Sequence, residues 1–101
     1  MEKPLVSIVM STYNDERSLE KSIESILNQT LDNFEFIIIN DGSTDNSNLI
    51  IQKYADLDSR IIYIDQHNKG LTRSLNIGIK TARGQYIARQ DADDISLPNR
   101  L

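Results

Sequence analysis

Leu5-Val6-Ser7-Ile8-Val9-Met10 and Phe34-Glu35-Phe36-Ile37-Ile38-Ile39 are short apolar runs rich in β-branched residues, and Ile61-Ile62-Tyr63-Ile64 is a third. Runs without in–out alternation read as strands covered on both faces, the pattern of a parallel sheet. Between them the period changes. Leu19, Ile23, Ile26 and Leu27 fall at i, i+4, i+7 and i+8, which predicts a helix over residues 15–29 with Asn14 or Asp15 as N-cap. A second helix carries Leu49, Ile50 and Tyr54 on its apolar side, with Ser43 or Asp45 as cap. A third carries Leu71, Leu75, Ile79 and Ala82, with Gly84 where a C-terminal cap belongs. Residues 85–89 read as a fourth strand. The order is β-α-β-α-β-α-β, which requires parallel strands, right-handed crossovers and helices on both faces. Pro98-Asn99-Arg100-Leu101 reads as the first turn of another helix. The 101 residues are therefore expected to be part of a longer protein.

Composition narrows the function. The length suits one domain. A hydrophobic fraction of 39% and a charged fraction of 26% describe a globular chain, not a disordered one. The net charge of −4 argues against a general nucleic-acid or anionic-membrane surface, since both need a basic excess. Cysteine is absent, which excludes disulfides, zinc-thiolate sites and thiol nucleophiles. No apolar run is long enough to span a membrane, and Met1-Glu2-Lys3-Pro4 lacks the layout of a signal peptide. The expected compartment is the cytoplasm, with attachment at the inner face of the membrane open for the longer protein.

In a doubly wound sheet, ligands bind beyond the carboxyl ends of the strands, at the switch in strand order. Ser11, Thr12, Tyr13 and Asn14 follow the first strand. Asn40, Asp41, Gly42 and Ser43 follow the second. Asp65 to Lys69, including the single histidine His67, follow the third, and Gln90-Asp91-Ala92-Asp93-Asp94 follows the fourth. All four polar sets are expected on one edge of the sheet. Three carboxylates within Asp91-Ala92-Asp93-Asp94 repel one another, and a hard divalent cation would neutralise them. The competing reading is a solvated acidic loop with Asp94 capping a following helix. An EF-hand is excluded because Ser96 stands where its loop needs glycine, and no glycine-rich phosphate loop follows the first strand. Asp41 either accepts hydrogen bonds from a base or ribose or makes a local turn with Asp45. Tyr13 either offers a flat face to a base or packs half-buried. Arg73 either meets a phosphate or is solvated.

Read in order, Pro4-Leu-Val-Ser-Ile-Val-Met-Ser-Thr-Tyr-Asn14, Ser25-Ile-Leu-Asn-Gln-Thr30, Asn40-Asp-Gly-Ser-Thr-Asp45, Asn68-Lys-Gly70, Asn76-Ile-Gly78, Gly84-Gln-Tyr-Ile87 and Asp91-Ala-Asp-Asp94 resemble the family 2 glycosyltransferases. These are inverting enzymes of the GT-A fold. The resemblance implies an α/β, Rossmann-like GT-A half-domain over residues 1–101 with strand order 3-2-1-4. It implies nucleotide contacts from Thr12, Tyr13, Asn14, Asp41, Arg73, Asp91 and Ala92. Asp91 and Asp93 would be metal ligands for Mn2+ or Mg2+, with Asp91 toward the ribose or sugar and Asp93 toward metal and diphosphate. Family members often carry Arg where this chain has Leu75, and Arg73 is a substitute for that contact.

The implied reaction is transfer of a sugar, with inversion, from a nucleotide-diphosphate sugar, expected to be a UDP-sugar. The acceptor would be a saccharide or lipid-linked molecule in cell-surface polysaccharide synthesis, and nucleic acid is not an expected partner. The general base and most of the acceptor site would lie outside these residues, so no catalytic residue is expected within them. The 101 residues alone are then expected to bind nucleotide weakly, to transfer no sugar and to self-associate through an uncovered sheet edge. The alternative is an inactive fragment that holds nucleotide and metal without turnover. A phosphatase with an aspartate nucleophile is disfavoured, because the first strand ends in Ser-Thr-Tyr-Asn.

Overall fold

The computed structural model describes residues 3–98. Seven elements alternate: β1 (Val6–Thr12), α1 (Glu16–Leu27), β2 (Phe34–Asp41), α2 (Ser47–Leu57), β3 (Ile61–Gln66), α3 (Leu71–Thr81) and β4 (Tyr86–Arg89). The strands form one parallel sheet in the order β3-β2-β1-β4. Right-handed crossovers fix which face each helix takes. The chain steps one way from β1 to β3 with α1 and α2 on one face, then returns across the sheet to β4 with α3 on the other. The direction reverses at β1, so the crevice lies beyond the carboxyl ends of β1 and β4.

The sheet register sorts the apolar residues by face. Val6, Ile8 and Met10 pair with Phe34, Phe36 and Ile38 and pack under Leu19, Ile23 and Ile26 of α1 and Ile51 and Tyr54 of α2. Val9, Ile37 and Ile39 point the other way, against Leu75 of α3 and the half-buried Ile62 and Ile64. β2 is buried along its whole length, as a central strand covered on both sides must be.

Several expectations shift in detail. The strands run further than their apolar runs: Thr12 closes β1, Asn40 and Asp41 close β2, and Asp65 and Gln66 close β3. In α2 the buried stripe is Ser47, Ile51 and Tyr54, and Leu49 is 58% exposed. In α3 the buried residues are Ser74 and Gly78, whereas Leu71 and Ile79 are exposed. The reason is close approach: a Cβ on Gly78 would lie 2.4 Å from Val9 Cγ1, so the helix rests on its small residues. Gly84 is not the cap of α3, which ends at Thr81 with Ala82 as its C-cap. Its backbone runs against β1 instead, where a Cβ would lie 2.5 Å from the Ser7 amide nitrogen.

Helix starts also differ. Asp15 holds the N-cap position of α1, but its carboxylate turns back to accept from Thr12 Oγ1 (2.9 Å) and the Tyr13 amide (3.1 Å). Asn46, not Ser43 or Asp45, is the N-cap of α2. The Asp45 carboxylate nevertheless meets both helix starts, accepting from the Ser47 amide at 2.9 Å and the Glu16 amide at 3.3 Å. That placement satisfies orphan donors and sets a negative charge at two positive helix ends. No helix directly follows Asp94 among the described residues, so Asp94 is not a cap there. The helix expected from Pro98 onward falls mostly on residues 99–101, outside the described residues.

Candidate nucleotide and metal site

Two loops meet beyond β1 and β2. Asn14 sits at φ 53°, a left-handed conformation that asparagine tolerates better than most residues. Its Oδ1 accepts from the Thr44 amide (2.8 Å) and the Asp45 amide (3.3 Å), and its own amide donates to Ser43 Oγ (3.0 Å). Asn14 thus ties the loop bearing Tyr13 to the loop following Asp41. Tyr13 is 48% exposed beside this tie, with its ring available as a stacking face. Thr12 is buried, and its hydroxyl is committed to Asp15.

Asp41 is 3% exposed at the end of β2. Its Oδ1 accepts from Gln66 Nε2 (2.9 Å) and the Lys69 amide (2.7 Å), and its Oδ2 from the Gly70 amide (3.0 Å). Burial by itself raises the pKa of this carboxyl. The donors from Gln66, Lys69, Gly70 and Ser74 outweigh burial and hold it below the usual value, so Asp41 is charged at neutral pH. Asp41 therefore anchors the β3–α3 loop, a role its sequence position did not disclose. Gly42 permits that loop to close: at φ 78° it has no Cβ, and one would lie 2.7 Å from the Asn68 amide nitrogen. His67 is exposed and lines a cavity of about 400 Å3 with Gly42, Ser43, Asp65 and Gln66.

Beyond β4, one carboxylate oxygen from each of Asp91, Asp93 and Asp94 lies within 4.8 Å of the others, and all three residues are exposed. Arg89 Nε donates to Asp91 Oδ1 at 3.0 Å, an exposed pair. Ala92, expected among the nucleotide contacts, points inward instead: it is 5% exposed and packs in the core on the α1 side. Two neighbours turned outward leave the residue between them to face the core. Its carbonyl accepts from Ser18 Oγ at 3.2 Å.

Arg73 is exposed in the first turn of α3, and Leu75 faces a shallow groove of about 260 Å3 beside Val9, Ile79, Ile87 and Arg89. The structure joins Asn14 to the β2–α2 loop, Asp41 to the β3–α3 loop, and the three aspartates to one another. Arg73 is tied to none of these groups by a hydrogen bond or ion pair among the described residues.

The polar residues of α1 were not read as functional. Ser18, Ser22 and Ser25 recur at i, i+4 and i+7, one line of the helix face, Gln29 follows just past its end, and all four bond to residues 91–98. The signal was present beside the apolar stripe and could have been found by applying the same periodicity to the polar residues.

The sequence and the fold resemble those of known proteins. The chain is 51% identical over 104 residues to an uncharacterized glycosyltransferase of Methanocaldococcus jannaschii, covering 100% of this chain and 36% of that protein. It is 39% identical over 89 residues to the glycosyltransferase GlyA of Streptococcus pneumoniae, covering 88% of this chain and 13% of that protein. The chain thus spans about a third or less of the length of such relatives. The S. aureus TarS fragment 1-349, solved in complex with UDP-GlcNAc, superposes with a TM-score of 0.86 at 26% identity, over 96% of this chain and 28% of that one. The mannosyltransferase PcManGT of Pyrobaculum calidifontis, solved with GDP-Man and Mn2+, shares the fold with a TM-score of 0.84 at 22% identity, over 94% of this chain and 29% of that one. The family model for Glycosyl transferase family 2 matches residues 7–101. With a family model matched over nearly its whole length and a parallel sheet in the order β3-β2-β1-β4, the chain belongs to glycosyl transferase family 2.

Proposed function

We propose that the chain is the donor-binding part of an inverting glycosyltransferase that takes a nucleotide-diphosphate sugar, most simply a UDP-sugar, and serves cell-surface polysaccharide synthesis. The saccharide or lipid-linked acceptor and the general base are then supplied by residues outside this stretch, and the stretch alone transfers no sugar. The observation that carries the reading is the convergence of Asp91, Asp93 and Asp94 beyond β4, next to the end of β1 where the strand order turns. Support comes from the TarS structure, which holds UDP-GlcNAc on a related fold.

The donor set fits a divalent cation. Three carboxylates offer hard oxygens within 4.8 Å of one another, the chemistry that Mg2+ or Mn2+ selects. Asp93 and Asp91 would hold the ion, with Asp94 supporting the loop. When bound, the ion supplies charge neutralisation for the departing diphosphate. The chain's own residues do the rest. Tyr13 stacks on the base, and the Asn14 tie fixes the loop that presents it. Asp41 keeps the β3–α3 loop in place, and its Oδ2, which accepts one bond where Oδ1 accepts two, retains a lone pair for a base or ribose donor. Arg89 exchanges Asp91 for phosphate oxygens at little cost, because an exposed ion pair contributes at most about 1 kcal/mol. Arg73 adds a positive charge from the start of α3. The free edge of β4, with Tyr86 and Ile87 exposed, is the surface through which the chain would self-associate.

Calorimetric titration with UDP tests the reading. Affinity is expected to rise when Mn2+ is added, and Asp93→Ala is expected to lose most of that rise. Equal affinity with and without Mn2+ would remove the metal from the proposal.

A further inference from the structure

Like-charged side chains held this close must be kept in place by something other than themselves. The carbonyls of the acidic loop show what does it. Ser22 Oγ donates to the Asp91 carbonyl (3.1 Å), Ser18 Oγ to the Ala92 carbonyl (3.2 Å) and Gln29 Nε2 to the Leu97 carbonyl (2.7 Å). Gln90 Nε2 spans the loop from within, donating to the Asp94 carbonyl (2.9 Å) and to Ser22 Oγ (3.2 Å). Ser96 Oγ donates to Gln90 Oε1 (2.7 Å), and the Ser96 amide donates to Ser25 Oγ (3.0 Å). Ser22 is fully buried, Gln90 is 2% exposed and Gln29 is 4% exposed.

We infer that this neutral network, centred on Gln90 and Ser22, is the mount that positions Asp91, Asp93 and Asp94 for a cation, so that Gln90 and Ser22 are positioning residues of the metal loop. The inference rests on the function proposed above and extends it to residues that touch neither metal nor nucleotide. Two physical points favour it. All the donors are uncharged and bond to backbone carbonyls or to neutral side chains of the network itself, so the loop is held without consuming a carboxylate oxygen. Burial also makes each bond costly to break, because a buried donor or acceptor left without its partner is strongly unfavourable. Outer-shell partners of metal ligands commonly change metal affinity by about 10–100-fold.

The experiment compares the wild-type chain with Gln90→Leu and Ser22→Ala, using Mn2+ and UDP as probes. Hydrogen exchange of the Asp94 and Ser96 amides, measured without metal, reads the mount directly. Both variants are expected to exchange these amides at least about tenfold faster than wild type, while amides of β2 keep their protection. Their Mn2+-dependent rise in UDP affinity is expected to fall about tenfold, with metal-free UDP affinity unchanged. Unchanged exchange in a folded variant overturns the mount, as does exchange that quickens while the Mn2+-dependent rise stays at the wild-type level. Should Gln90→Leu fail to fold, Ser22→Ala and the partly exposed Ser18→Ala give the same readings. A wild-type chain that gains no UDP affinity from Mn2+ overturns both the metal reading and the positioning role. Failure of the mount alone leaves the wild-type rise intact, so the two failures are distinguishable.

Discussion

The two ends of the sheet hold carboxylates in opposite ways. At the amino end, Glu35 of β2 has a side chain only 4% exposed, and donors meet both its oxygens. Ser7 Oγ (2.5 Å) and the Arg83 amide (2.6 Å) donate to Oε2, and Arg83 Nε (3.2 Å) donates to Oε1. The Gly84 amide adds a bond to Ser7 Oγ at 2.7 Å. This clamp fastens the α3–β4 connection to the two central strands. At the carboxyl end, Asp91, Asp93 and Asp94 are exposed and crowd one another, and the network beneath them bonds to their backbone rather than to their charge. A carboxylate surrounded by donors is spent on the fold. A group of carboxylates facing outward together is held against its own repulsion, which is the arrangement a cation relieves. Asp41 lies between the extremes: it is buried and bonded, yet at the edge of the site.

The comparison breaks most readily at Glu35. Replacing it with alanine strands the Arg83 amide and the Ser7 hydroxyl, and the loss is expected to be about 2–3 kcal/mol of unfolding free energy in urea titration. Retention of wild-type stability would show that the clamp does not hold the fold. A smaller loss, about 1–2 kcal/mol, is expected for Asn14→Ala, which removes the tie and puts alanine at a positive φ. Asn14→Gly should recover the backbone part, and equal losses for the two would assign the whole effect to the tie.

Acid sharpens the contrast further. Burial raises the Glu35 carboxyl, but the bonds from Ser7 and Arg83 outweigh it and hold it below its usual value. The unfolded chain then binds the proton more readily than the folded one. Stability is therefore complete above the ordinary glutamate pKa and is lost as pH falls through the lower folded value. Glu35→Gln is expected to make stability less dependent on pH between about pH 5 and 3, though not independent, because Asp41 and Asp58 are also held low. An unchanged slope would mean that Glu35 is not among the groups responsible. The smallest effect belongs to the opposite end. Asp93→Asn should leave stability within about 0.5 kcal/mol of wild type, or raise it slightly by relieving repulsion, even as metal-dependent binding falls. A marked loss of stability would make Asp93 a structural residue.

The elements whose character is set by neighbours along the chain were legible beforehand. The apolar runs of β1, β2 and β3 and the stripe Leu19-Ile23-Ile26 named the alternating fold, and the position of Asp91-Ala92-Asp93-Asp94 after the last strand placed an acidic cluster at that edge of the sheet. What sequence alone does not reveal depends on partners distant along the chain. Ala92 packs inward against the core on the α1 side, where Ser18, far back in the chain, takes its carbonyl. Gly84 serves close approach to Ser7 rather than ending a helix. Asp41 answers to the β3–α3 loop as well as to any ligand.

The sequence by itself determined the order of strands and helices, the faces that must be buried and the clustering of acids at one edge, because periodicity and connection rules act over a few residues. Only the tertiary structure decided which carboxylates are bonded away and which converge in the open. That choice depends on donors brought from residues tens of positions apart, and on how closely small residues such as Gly78 let the layers approach.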